Sequence, residues 1–512
     1  MTESSPGQLT RQQLYDRIKE SSKDEFILSE MKRLGFWPEE DSPSVTAEVI
    51  TRTGELEREL RALLAKQRRM QNPDLALKDM HKERKAKALE RREETRQNNF
   101  EAKYQRALNW YQKNQKEIVF LGEGVSSDLN DKQSDVARLA KFGLQSFDNA
   151  QALAATIGIS LAELKFLTYT RASSKVHHYV QFELPKKTGG TRKISSPMPR
   201  LKLVQYWIKN NILAKIPSHS AVHGFMTNKS IVTNAKPHVD SALVINMDLQ
   251  DFFPSISYQR VKGYFRKIGY SGEIATLLGL LCTESEVDEI ELDGDTYYVS
   301  KGIRRLPQGA PTSPDISNLI CFRLDKRMAG TMTDIGFSYT RYADDMTFSC
   351  KVADDNALKK LFWRVHQIID NEGFVVHPDK TRIMRKGSRQ EVTGIIVNDK
   401  VSINRKLLRN FKACLHQTLL DGPDGKQWGN GNNLIASLYG FANYVSMVDK
   451  VKGVKFMAQV KQIQEKYGQQ ALPSRPEGKD RLKNIKPENI VNSDEWWQPK
   501  LKDAPVRDDR QE

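Results

Sequence analysis

The sequence predicts an α+β protein preceded by a helical extension, and three observations carry that reading. Segments that alternate as strands, Tyr179 to Leu184, Ala242 to Leu249, Ile290 to Val299 and Phe337 to Cys350, cluster in the middle of the chain, several of them joined by hairpin turns. Helical periodicity fills residues 1 to about 130 and returns from Asn398 to Tyr467. The 512 residues exceed what one hydrophobic core usually holds, so several domains are expected.

At the front, Leu56, Leu60, Leu63 and Leu64 fall on one helical stripe, and Pro73 ends that pattern. The run from Lys78 to Arg96 alternates in charge with almost no apolar face, which suits a solvated helix or a surface for RNA or a partner protein. Phe100, Tyr104, Leu108, Trp110 and Tyr111 are the apolar residues expected to pack this end against the body. Glu123 to Asp131 reads as a linker, and Ala137 to Tyr169 as two short helices. A basic hairpin follows: strand Tyr179 to Leu184, turn Lys187 to Gly190, strand Arg192 to Ser195. Leu201 to Leu213 is helical, Ala242 to Leu249 is a buried strand, and Asp293-Gly294 turns the hairpin from Ile290 to Val299. One helix is expected from Ile316 to Arg327, then a hairpin from Phe337 to Cys350 with acids at its centre. The resulting divisions are 1–130, 131–240, 241–398, 399–471 and a polar tail, 472–512.

Composition narrows the function. With 80 Lys and Arg against 64 Asp and Glu, the net charge is +16, which favours a polyanionic partner such as nucleic acid. Hydrophobic residues at 38% exclude a wholly disordered chain. Cys282, Cys321, Cys350 and Cys414 lie far apart with no CxxC pair, which argues against a disulfide framework or a zinc ribbon and for a reducing compartment. No apolar signal core and no stretch near the roughly 18 apolar residues of a membrane span is present, so a cytoplasmic protein without a membrane partner is expected.

The chemistry points to carboxylates. Asp344 and Asp345 sit between two β-prone segments where a tight turn belongs, and adjacent carboxylates repel unless a cation neutralises them. Asp248 ends the apolar strand Val244 to Leu249, just before Phe252-Phe253-Pro254. If tertiary folding puts these acids on adjacent strands, two Mg²⁺ ions between them would activate a 3′-hydroxyl and stabilise a leaving pyrophosphate. The competing reading of an isolated Asp-Asp is a solvated turn. Leu306 to Pro314 is a loop punctuated by Pro and Gly, in which Gly309 permits close approach of a base or sugar and Ser313-Pro314 suits a helix start.

In this order, Asp248 with Phe252-Phe253, Gln308-Gly309 with Ser313-Pro314 and Asn318, then Tyr342-Ala343-Asp344-Asp345, the chain resembles the palm of a reverse transcriptase. Gly373-Phe374 with Lys380-Thr381 is similar to that family's next motif, with His377 where the family usually has Asn. Asn234-Ala235-Lys236-Pro237-His238 and Val392-Thr393-Gly394 resemble the NAxxH and VTG signatures of bacterial retron reverse transcriptases.

The resemblance implies a right-hand polymerase with fingers, an antiparallel palm sheet and a helical thumb. Its activity would be reverse transcription of a structured non-coding RNA from dNTPs, primed from a guanosine 2′-hydroxyl. The branched, RNA-linked single-stranded DNA would serve antiphage defence with an effector. By motif, Asp248, Asp344 and Asp345 would hold the metal, Lys380 would protonate pyrophosphate, Lys186 and Arg192 would meet the triphosphate, and Phe253 would exclude a ribose 2′-hydroxyl. Gln308 and Gly309 would border the nucleotide; Asn234, His238, Val392, Thr393 and Gly394 would contact RNA. Plainer readings stand beside these: His238 as a satisfied helix-capping histidine, the basic hairpin as solvated charge, Val392 to Val397 as a buried strand turned at Thr393-Gly394. The N-terminal region reads as an effector, a dimerisation helix or a dock for a separate protein. The alternatives for the whole chain are another bacterial reverse transcriptase, of group II intron or other defence type, and a non-catalytic RNA-binding scaffold.

Overall fold

The computed structural model describes residues 12, 15, 18–19, 21–37, 45–186, 189–352, 354–431, 433–468 and 504–505. The chain divides into two compact units, Met1–Asn109 with Pro505–Glu512, and Trp110–Ala504. The tail expected from 472 onward lies outside the described residues except for Ala504 and Pro505.

In the first unit, α1 (Lys23–Arg33) begins on a capping box, Ser22 accepting from the Glu25 N–H while the Glu25 carboxylate accepts from the Ser22 N–H. Glu25 also pairs with Arg58 of α2 (Val45–Gln71) at 2.5 Å. Gly54 of α2 lies where any side chain would collide with that carboxylate. The next helix, α3 (Pro73–Lys116), runs for 44 residues, and none of them is buried. Of the apolar residues expected to anchor this end, Phe100 and Trp110 stand exposed, whereas Tyr104, Leu108 and Tyr111 are half-buried. Alternating charge lets such a helix stay solvated.

The expected boundary near 130 also shifts. Ile118, Leu121, Val125 and Leu129 are buried in the main core, Asp128 pairs with Lys262 at 2.7 Å, and Asp131 accepts from the Gly272 N–H at 3.2 Å. The segment expected to be a linker is therefore packed. Three short helices follow, α4 (Val136–Ala140), α5 (Ala150–Ile157) and α6 (Leu161–Thr168), with a two-residue strand β1 (Ser173–Ser174). The basic hairpin is β2 (Tyr179–Pro185) and β3 (Thr191–Pro197), in register from Tyr179 opposite Pro197 to Pro185 opposite Thr191. Beyond it come α7 (Pro199–Asn211), α8 (Ile231–Ala235), β4 (Leu243–Asp248), α9 (Tyr258–Ile268) and α10 (Gly272–Cys282), the last buried at every position.

β5 (Glu284–Leu292) and β6 (Asp295–Arg305) are joined at Asp293 and Gly294, whose φ values of 53° and 80° are those a two-residue primed turn demands. The single helix expected from Ile316 to Arg327 is two, α11 (Ser313–Ile320) and α12 (Phe322–Asp334). Leu319 and Leu324 are both buried, and a five-residue step does not stay on one face of a continuous helix. The palm sheet takes β7 (Ser338–Tyr342), β8 (Asp345–Cys350), β4 and β9 (Arg382–Arg385) in that order, all antiparallel, with α13 (Asp355–Asn371) between β8 and β9 in the chain. A small hairpin, β10 (Glu391–Val392) and β11 (Ile395–Ile396), leads to α14 (Arg405–Asp421), α15 (Leu434–Val448) and α16 (Lys450–Tyr467). These three helices have their own core around Phe411, Leu415, Leu438 and Ile463. Among the described residues no single helix is long and apolar enough to cross a membrane. All four cysteines are free thiols.

Candidate active site

The palm sheet brings the three acids together. Leu243, Val244, Ile245 and Met247 of β4 are buried because the sheet is covered on both faces, and the run ends in Asp248 at the sheet's rim. Antiparallel pairing with β8 sets Asp248 opposite Asp345. The Leu249 N–H donates to the Asp344 carbonyl at 3.1 Å, so the end of β4 is fastened to the acidic turn. Ala343 enters that turn at φ 59°, a left-handed conformation disfavoured for a residue with a side chain.

The carboxyls are short of compensating charge. Burial pushes Asp345 up to about 7, with the charges of Asp344 and Asp248 and a hydrogen bond to Asp248 adding to the rise. Burial and repulsion from Asp248 raise Asp344 as well, opposed by Lys380 and Arg192. The Lys380 ammonium, on the turn Pro378–Lys380, donates to Asp248 Oδ1 at 2.8 Å. Among the described residues no three acidic, His or Cys side chains already stand as a metal cage. The donor set still fits a hard divalent cation: three half-buried oxygen ligands held together against their own repulsion, with one lysine to be exchanged.

A buried network sets the turn's position. Arg341, fully buried, donates from Nε and Nη2 to the two oxygens of Asp325, both at 2.7 Å. Its Nη1 donates to the Ala343 carbonyl at 2.9 Å and to Asn318 Oδ1 at 3.2 Å. The Tyr339 hydroxyl donates to Asp325 at 2.8 Å. The peptide just before Asp344 is thus held by a guanidinium that is itself fixed bidentately.

The basic hairpin is bound to the Gln308-Gly309 loop. The Ser195 N–H donates to the Gln308 carbonyl at 2.7 Å, and a Cβ on Gly309 would stand 2.7 Å from the Ser195 carbonyl oxygen. Gly309 therefore presses against the hairpin backbone on the side a Cβ would occupy, while the residue itself stays exposed. Lys186 and Arg192 are exposed and Gln308 is half-buried. Phe252 is core, 5.7 Å from Phe374, while Phe253 beside it is half-exposed. His377 accepts from the Asp379 N–H at 3.4 Å, so histidine still makes a turn contact in place of the usual asparagine.

The two signature motifs meet each other. Asn234 is wholly buried and reaches Thr393 Oγ1 at 3.5 Å. Val392 is buried with Ala235, Val244, Ile395 and Val397, and Thr393 and Gly394 turn the small hairpin at φ 45° and 87°. The Tyr444 hydroxyl of α15 donates to the Gly394 carbonyl at 3.3 Å. His238 is wholly buried between Ser349 Oγ and Thr340 Oγ1, each at 2.7 Å. Buried side chains cannot touch RNA in this conformation, so direct contact is corrected for Asn234, His238 and Val392. Thr393, half-buried, and Gly394, exposed, stay accessible.

Burial also holds His238 down to about 3 and both His178 and His223 down to about 4. An unfolded histidine takes up its proton near 6.5, so between these values the unfolded chain binds more protons and the fold loses stability as pH falls. We expect the urea midpoint to drop between pH 7 and pH 5, with His238 alone contributing about 2 kcal/mol across that window. A midpoint unchanged across that window contradicts the burial.

Residues 184–407 match the family model described as reverse transcriptase (RNA-dependent DNA polymerase). The chain is 39% identical over 367 residues to the retron Mx162 reverse transcriptase of Myxococcus xanthus, covering 68% of this chain and 75% of that protein. It is 31% identical over 336 residues to the retron Ec86 reverse transcriptase of Escherichia coli, covering 65% of this chain and 95% of that one. The chain belongs to the retron reverse transcriptases. A third relative, the Mx65 enzyme of Myxococcus xanthus, is 40% identical over 291 residues, 57% of this chain and 67% of that one. This retron reverse transcriptase is an RNA-directed DNA polymerase with the right-hand fold, and the non-catalytic scaffold is set aside. Its family works with divalent metal ions and a nucleic acid template.

Sequence reading missed Arg341, Asp325 and Tyr339. Arginine and aspartate are ordinarily exposed, and nothing in a single chain signals that two of them pair at zero exposure. Glu284 was missed as well. Buried at the hairpin's base, it accepts from Gln181 at 2.5 Å and Ser195 at 2.9 Å.

Proposed function

We propose that this retron reverse transcriptase copies a structured non-coding RNA in the cytoplasm, beginning from a guanosine 2′-hydroxyl of that RNA. The product is single-stranded DNA joined to RNA through a branch, made for antiphage defence with an effector protein or with self-association through the N-terminal helices. The observation that carries the catalytic part is the strand register that sets Asp248 opposite Asp345, beside Asp344, with too little positive charge to neutralise them. Asp248, Asp344 and Asp345 would hold two Mg²⁺ ions. Such ions lower the pKa of an attacking hydroxyl and neutralise a leaving pyrophosphate.

The chain's own groups supply the rest. Lys380, which donates to Asp248, would on release serve as proton donor to the leaving pyrophosphate. Lys186 and Arg192 on the exposed hairpin meet the triphosphate, with the hairpin's place fixed by Gln308, Gly309 and Ser195. Phe253 faces the sugar, and Thr393 and Gly394 present the accessible part of the second signature to RNA.

The test is the linkage of the product. Protein purified with its RNA and given dNTPs is expected to yield DNA that keeps a guanosine after ribonuclease digestion and loses it to a 2′,5′-debranching enzyme. DNA made only by extending an annealed 3′ end overturns the priming reading.

A further inference from the structure

A strained segment borders the site. Residues 221–223 run beside β7, the Arg341 N–H donating to the Ala221 carbonyl at 2.9 Å and the His223 N–H to the Arg341 carbonyl at 2.8 Å. Gly224 then presses on the acidic turn: a Cβ there would stand 2.5 Å from the Ala343 nitrogen, and its carbonyl accepts from Asn318 at 3.0 Å. The next residue, Phe225, takes φ 62°. A bulky side chain in the left-handed region clashes with its own backbone, where glycine would sit freely. The residue is 46% exposed, so core packing does not account for it. It stands 6.3 Å from the Phe253 ring and 6.4 Å from the Tyr342 ring. Strain kept beside a reaction centre, with an exposed aromatic as its result, points to function.

We propose that Phe225 is a specificity-determining residue for the incoming nucleotide. Buried Phe252 contacts the Phe253 ring at 5.4 Å, and Phe225 is that ring's exposed neighbour. Phe225 stops Phe253 from yielding, so a sugar carrying a 2′-hydroxyl meets a wall that cannot retreat. The inference rests on the reading of Phe253 as the residue that faces the sugar.

The experiment measures kcat/KM for a dNTP and its matching rNTP with the full-length protein extending a DNA primer on an RNA template. Phe225→Ala and Phe225→Gly are expected to raise the rNTP-to-dNTP ratio by about tenfold, the discrimination a lost apolar contact typically carries. Phe225→Leu should keep part of the selectivity, and the glycine variant should melt no lower than the parent, since glycine accepts this backbone. Phe253→Val is the control. A ratio unchanged in Phe225→Gly but raised in Phe253→Val defeats the inference and leaves the Phe253 reading standing. A ratio unchanged in Phe253→Val removes both. Equal losses on the two nucleotides mark a merely structural residue and also overturn it.

Discussion

Asp344→Asn is expected to stop DNA synthesis, lowering kcat by at least about a thousandfold, because a neutral amide replaces the anionic carboxylate that would hold the cations where charge develops in the transition state. RNA affinity should stay within about twofold, since phosphate contacts come from basic residues elsewhere. Single-turnover extension and filter binding on the same preparation separate the two. The fold should not suffer. In the metal-free protein Asp344 is raised by burial and by repulsion from Asp248, so removing its charge relieves a strain. Loss of synthesis then cannot be ascribed to unfolding, and retained synthesis would move the catalytic centre away from this turn.

The second large effect is on stability. Arg341→Met leaves Asp325 charged, wholly buried and without its partner, and breaking a buried pair in this way costs about 3–5 kcal/mol. The urea midpoint should fall accordingly. Arg341→Met combined with Asp325→Leu should recover part of that loss, because no buried charge is then left unpaired, the Tyr339 hydroxyl still losing its acceptor. Synthesis should not recover with it. The Ala343 carbonyl, next to Asp344, would still lack the donor that holds it at 2.9 Å. A double variant as active as the parent would show that the network serves stability alone.

Much of this site was legible because its parts obey local rules. An apolar run ending in Asp248, two β-prone segments around Asp344-Asp345 and an Asp-Gly turn each carry a pattern that one chain reveals. The pairing of β4 with β8 follows from those patterns once the strands share a sheet. What stayed hidden depends on partners distant in the chain. His238 looks like a surface ligand until Ser349 and Thr340, more than a hundred residues on, close over it. The contact of Gly309 with the Ser195 carbonyl, across more than a hundred residues, is likewise invisible in the loop's own pattern. Segment 123–131 has the composition of a linker, yet Val125 and Leu129 are enough to pin it to the core. Phe100 and Trp110 of α3 mislead in the opposite sense: a long charged helix can leave part of its aromatic side chains exposed.

The central claim is that Asp248, Asp344 and Asp345 together bind divalent cations at the palm's rim. Anomalous diffraction from crystals soaked in Mn²⁺ and a dNTP tests it most directly. Two anomalous peaks among these three carboxylates, with Lys380 drawn off Asp248, is the predicted map; ordered carboxylates with no peak between them, or metal bound only elsewhere, would contradict it.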